Sequence, residues 1–220
     1  IYRNKKFVIG LSRGDGKEGE DITSNLKTIN DIPKFISSKD FPDEIDIRGE
    51  VFIEKNDFIR FKEKFANPRN AASGSLRQKN PNDTKKIPLK FIAYTFGHEK
   101  GMNINFQNDF LKKLKDWGFN INPLNKVITG TKNLMSHYYE VEKKREDLNF
   151  DIDGIVYKIN SFKIQKRLGN VANAPRWAIA HKFSANKGKS KIVNIEIQIG
   201  RTGALTPVAK IKPINIGGVV

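Results

Sequence analysis

Two lysines stand where lysine is costly. Lys158 closes the run DIDGIVYK and Lys182 interrupts WAIAHKF, both otherwise built largely from apolar residues. An ammonium in an apolar strand needs an anionic partner or a route to water, so a bound phosphate, a nearby carboxylate and snorkelling to the surface all stay open. Asp151 and Asp153 lie just before Lys158 and could take part. In EIDIRGEVFI, alternation puts Asp46, Arg48 and Glu50 on one strand face. Charges buried there would cost several kcal/mol unless paired, so the face meets either an internal salt bridge or a polar ligand. NPRNAASGSLRQ sets Arg69 and Arg77, forked donors that suit phosphate, around small residues that permit close backbone approach. The same string also reads as a small-residue helix packed on a sheet. Gly14, Gly16 and Gly19 have GxGxxG spacing, yet Glu20 and Asp21 occupy the place a pyrophosphate would need and would repel it. That segment is read as a glycine-rich loop or hairpin ahead of a capped helix, with Arg13 at its start.

These groups need a scaffold. Periodicity predicts a strand over 6–12, a short helix over 22–29, a strand over 44–53, a helix over 56–65 and a loop over 67–74. A strand over 89–97 follows, then helices over 106–117 and 131–147, the second with Leu134, Tyr138, Val141 and Arg145 on one stripe. Strands over 153–160 and 177–183 enclose the helical stretch SFKIQKRLG. The expected class is α+β with antiparallel or mixed sheets. Beyond Phe183 the basic, glycine-containing SANKGKSK reads as a linker, and two alternating strands flank the turn RTG at 201–203. A main domain over 1–186 and the start of an all-β domain over 187–220 are expected. The opening Ile1 and the closing INIGGVV read as cuts within a longer chain.

Composition narrows the partners. Forty Lys and Arg against 24 Asp and Glu give +16, which favours a polyanion with salt-dependent binding, although a merely solvated basic surface gives the same sum. Cysteine is absent, so disulfides, a thiolate nucleophile and cysteine-bound zinc are excluded from these residues. His98, His137 and His181 show no metal-ligand spacing. No apolar run approaches the roughly 18 residues of a membrane span, and no secretory segment opens the sequence, so no membrane partner and a cytoplasmic site are expected.

Taken in order, RGDGKEGEDIT, RGEVFI, FANPRNAASGSLRQ, FIAYTFG, FDIDGIVYKIN, APRWAIAHKF and IQIGRTGALTPVA resemble the adenylation and early OB-fold regions of bacterial NAD-dependent DNA ligases. The resemblance covers essentially the whole chain. It implies a nucleotidyltransferase domain of the ATP-grasp-like ligase type, followed by the first strands of an OB-fold barrel. It further implies that a KxDG lysine attacks the α-phosphate of NAD and carries AMP. The AMP passes to the 5′-phosphate of a nick in duplex DNA, and the 3′-hydroxyl displaces it. Under that resemblance Arg13 and Glu50 contact the nucleotide, Glu50 at the ribose, and Tyr94 stacks on adenine. Lys158 and Lys182 flank the adenine and the α-phosphate. Asp153 serves a divalent metal, Mg2+ or Mn2+, directly or through a neighbouring ligand. Arg69, Arg77 and Arg145 hold phosphates of the nicked strand. No KxDG occurs in these residues; DIDG comes nearest, with Asp151 in the lysine's place. The resemblance puts that motif just before Ile1, and zinc in a later part of the protein, so this segment alone is expected to be inactive. A monomer associated with the nucleoid is expected. Two rivals remain: an ATP-dependent ligase or capping-type nucleotidyltransferase, and a non-catalytic basic module for nucleic acid.

Overall fold

The computed structural model describes residues 1–16, 18–172, 174–184 and 188–214. The chain divides into two compact units, Ile1–Phe183 and Ser184–Val220.

The first unit opens with a hairpin of β1 (Tyr2–Arg3) and β2 (Lys6–Phe7). Asn4 and Lys5 between them both have positive φ, 46° and 65°, which matches a primed two-residue turn. The strand expected over 6–12 is therefore limited to two residues here; beyond it Leu11 makes one antiparallel bridge, to Asp21. The hairpin joins β3 (Glu44–Ile53) and β4 (Leu89–Lys100) in an antiparallel sheet of order β2-β1-β3-β4. One face of β3–β4 is apolar, with Ile45, Ile53, Leu89, Phe91 and Ala93 buried. The core beneath includes Ile22 and Leu26, around α1 (Thr23–Leu26), and Phe110 and Leu114 of α5 (Gln107–Asp116). Asp40 fastens the end of α5, accepting from Trp117 Nε1 at 3.2 Å and pairing with Lys113 Nζ at 2.5 Å. Lys113, then Ser38 and Trp117, hold its carboxyl well below the ordinary carboxylate range.

Between β3 and β4 the expectations change. The helix predicted over 56–65 is α2 (Lys55–Phe58) followed by a 3₁₀ turn, Ile59–Phe61. The tighter winding suits residues three apart, and Phe58, Phe61 and Phe65 join Ile53 and Ala71 in a small second core. The segment expected as a loop over 67–74 is largely helical. In α3 (Pro68–Leu76) the Asn67 side chain caps the Asn70 N–H at 2.8 Å and Pro68 starts the first turn. Ala71, Ala72 and Ser75 are its buried side, packed on β3, so the helix reading of these small residues is the one observed. α4 (Pro81–Lys85) follows.

The rest of the unit stands on a third core. Tyr138 and Val141 of α6 (Thr131–Lys144) pack with Phe183, Leu124, Ile152 and Ile155. α6 ends at Lys144, three residues short of expectation. β5 (Gly154–Lys158) pairs antiparallel with β8 (Ala178–Lys182), and between them run α7 (Phe162–Leu168) and a small ribbon of β6 (Asn170–Val171) and β7 (Ala174–Pro175). The second unit shows an antiparallel pair, β9 (Ile192–Ile199) and β10 (Leu205–Ile211), a hairpin rather than a barrel among its described residues. Lys17 of the glycine-rich loop, residues 185–187 of the expected linker and residues 215–220 lie outside the described residues. Among the described residues no helix is long and apolar enough to cross a membrane.

Candidate functional site

Alternation gives β3–β4 a second, open face. Arg48, Glu50 and Tyr94 are exposed there, with Tyr94 at 40% of its free surface. The charges of the RGE string are thus not buried, and the burial cost expected for them does not arise. Arg48 meets Asp46 at 3.5 Å, and Gly97 leaves the room, since a Cβ on it would overlap both side chains. Gly49 likewise lets the strands close, because a Cβ there would strike the Phe91 ring and the Ile92 carbonyl.

Lys158 reaches this face from β5. Its Nζ lies 5.3 Å from the centre of the Tyr94 ring, within cation–π range. Burial lowers the Lys158 pKa. The Tyr94 hydroxyl is pushed upward, by burial first and the Glu50 charge second, with Arg48 and Arg13 opposing. Tyr94, Lys158, Glu50, Arg48 and Arg13 therefore share one electrostatic neighbourhood. Arg13 itself is exposed on the hairpin of the glycine-rich loop, where Gly14 and Gly16 have φ of 52° and 97° and Ser12 N–H donates to Glu20 O at 3.0 Å. Asp21 accepts from the N–H and hydroxyl of Thr23 at 2.9 and 2.6 Å, just ahead of α1.

The pairing of Gly154 with Lys182 and of Lys158 with Ala178 puts both lysines on one face of the β5–β8 ribbon. The two rungs lie four positions apart, roughly 14 Å along the strands. Despite its apolar neighbours in the sequence, Lys182 is not buried: its side chain is 68% exposed and donates to Asp153 Oδ2 at 2.5 Å. Of the three ways to satisfy this ammonium, a carboxylate and solvent are both used. The Lys182 bond chiefly, and the Lys182 and Arg69 charges further, lower the Asp153 pKa. Gly154 permits the close approach, since a Cβ there would lie 2.7 Å from Lys182 Cα.

The remaining basic candidates have other neighbours. Arg69 is exposed in the first turn of α3, on the side of Asp153. Arg77, just past α3, pairs with Glu20 at 3.2 Å beside a cleft of about 670 Å³ lined also by Asp21, Asn25 and Lys79. Arg145 lies 5.8 Å over the Phe183 ring at the end of α6. Asp151 pairs with Lys55 at 3.3 Å. Among the described residues, no three His, Cys, Asp or Glu side chains cluster as a metal site would require.

A family model described as the NAD-dependent DNA ligase adenylation domain matches residues 1–186, and one described as the NAD-dependent DNA ligase OB-fold domain matches residues 189–220. The chain belongs to the NAD-dependent DNA ligase family. Similar proteins include a DNA ligase of Pelagibacter ubique, 71% identical over all 220 residues, and one of Bartonella bacilliformis, 50% identical over the whole chain. A DNA ligase of Rickettsia bellii is 47% identical, again over the whole chain. The chain spans about a third of the length of these relatives, 32% to 33%.

On the opposite face of the β5–β8 ribbon lies a polar contact that the sequence did not signal. Tyr157 Oη lies 3.0 Å from His181 Nδ1, and Tyr138 stacks on His181 with ring centres 3.9 Å apart. Only the bare alternation of β5 and β8, which turns Tyr157 and His181 together away from the lysines, could have pointed to this pair.

Proposed function

We propose that this chain handles the adenylate group in a ligase that takes NAD as its adenylate donor and seals nicks in duplex DNA. The observation that carries the reading is the open face where Lys158 stands over Tyr94 beside Glu50, with Lys182 further along the face that bears Lys158. Tyr94 offers a flat surface for adenine, and Glu50 can accept from ribose hydroxyls. Arg13 supplies positive charge at the rim. Lys158, half-buried, favours an anion or an acceptor on the base, since burial makes its unpaired charge costly. Lys182 holds Asp153 now and can exchange that carboxylate for an α-phosphate, stabilising charge as the nicotinamide half departs. NAD supplies the adenylate itself.

The fit to a divalent metal is poor on the chain's own residues. Among the described residues Asp153 is the candidate carboxylate, and it is engaged by Lys182. Mg2+ is commonly held by one or two carboxylates together with phosphates and water, so Asp153 would contribute at most that single oxygen ligand. No step is assigned to a metal.

For DNA, Arg69 and Arg77 are the proposed phosphate contacts, with Arg145 a third. Arg77 must first exchange Glu20 for phosphate, and such an exposed pair costs little to break. In the full-length ligase, Arg69→Ala and Arg77→Ala are each expected to flatten the dependence of log affinity for nicked duplex on log salt by about one unit. An unchanged slope in either variant removes that arginine from the interface. Nick sealing would tie the protein to replication and repair, acting as a monomer at the nucleoid.

The nucleotide reading is tested at Tyr94. In the full-length ligase Tyr94→Ala should raise the KM for NAD by about tenfold while kcat stays within about threefold, because stacking contributes about 0.5–1.5 kcal/mol beyond the area it covers. A variant with unchanged KM and a lowered melting temperature would show instead that the ring serves the sheet.

A further inference from the structure

Helix α6 turns one tyrosine toward the lysine strand. Tyr138 is buried, 6% exposed, in a core whose packing asks only for a phenyl ring. Its hydroxyl nevertheless donates to the backbone carbonyl of Lys182 at 3.0 Å. The Glu142 carboxylate lies at 3.4 Å, and with one proton to give, the shorter contact takes it. The ring is stacked on His181, interplanar angle 14°, and packs against Phe183 with centroids 5.3 Å apart. Tyr157 holds His181 from β5. Alternation sends His181 and Phe183 toward α6 and Lys182 to the opposite face. Tyr138 thus touches both neighbours of Lys182 and its carbonyl, without touching its ammonium.

From this geometry we infer that Tyr138 is a positioning residue for Lys182. It fixes the backbone from which a flexible, solvent-exposed side chain must reach the phosphate. The inference rests on the reading that Lys182 acts on the α-phosphate. Together with the β5–β8 pairing and Asp153, this clamp sets where the ammonium can reach, and a misplaced charge at a reacting phosphate is costly even when the shift is about 1 Å.

The test uses the full-length ligase and Tyr138→Phe, which keeps the ring and removes the hydroxyl. Single-turnover adenylation with NAD should slow about tenfold, with the KM for NAD changed less than about twofold. In a Lys182→Ala background the same change should cost nothing further, because there is no ammonium left to place. A purely structural hydroxyl would lower the melting temperature and slow both backgrounds equally, and that outcome overturns the inference. Tyr138→Phe adenylating at the parent rate while Lys182→Ala is slow overturns it too, leaving the role of Lys182 intact. Normal adenylation by Lys182→Ala would overturn both.

Discussion

Lys182→Ala in the full-length ligase is expected to slow formation of the enzyme adenylate by about 100-fold or more, the loss typical when a stabiliser of transition-state charge is removed. Its melting temperature should hardly move. The lysine and its partner Asp153 are both largely exposed, 68% and 75% at the side chain, and exposed pairs contribute at most about 1 kcal/mol. Removing the ammonium strands no buried charge, since Asp153 keeps its water and the nearby Arg69. The measurement pairs thermal melts with single-turnover rates. A Lys182→Ala protein that melts early and adenylates normally would assign this lysine to the fold, and the mechanism would lose its phosphate contact.

The opposite profile is expected of Phe110→Ala. Phe110 is fully buried in the largest core, its ring 4.8 Å from Phe96 of β4, 6.1 Å from Trp117 and 6.5 Å from Phe162 of α7. Emptying the site removes the ring's burial and leaves a cavity among aromatic neighbours too rigid to collapse into it, at a cost of about 3–5 kcal/mol. Phe162 begins the helix between the two lysine strands and Phe96 lies on the strand of Tyr94, so the void is shared by both halves of the site. Chemical denaturation should show a lower midpoint with an unchanged slope. Well below its melting temperature the variant should still adenylate within about threefold of the parent, because it loses no group that meets NAD. Wild-type stability in this variant would mean that the packing around α5 is not what holds the unit together.

Much of this arrangement was legible in the sequence for a physical reason. Long strands with one buried face carry a strict period of two, so the alternation over 44–53 gives both the bounds of β3 and its polar face, Asp46, Arg48 and Glu50. The lysines of β5 and β8 were visible as misfits in apolar runs. What they pair with was not, since the Lys182–Asp153 contact depends on the rung between Gly154 and Lys182. Residues 68–76 misled because alanine, glycine and serine suit both loops and close-packed helices; the deciding signal, Asn67 followed by Pro68, was a cap. The turn at Asn4 and Lys5 lacked the glycine that usually marks positive φ. In the sequence Tyr138 is one more position on a helix stripe, because nothing local tells where a hydroxyl 44 residues from its acceptor will point.

The two sides of the site rest on unequal foundations. Tyr94 and Glu50 stand on a sheet backed by a core of sixteen buried residues, whereas the strands of Lys158 and Lys182 lie over one of three, counted among the described residues. Local opening follows the apolar area that must be exposed, so the amides of the lysine ribbon are expected to exchange with solvent by excursions smaller than global unfolding. A nucleotide bridging the two sides would suppress those excursions. Part of its binding free energy then goes into quieting a loose ribbon, and affinity becomes sensitive to substitutions in α6 that never meet the ligand.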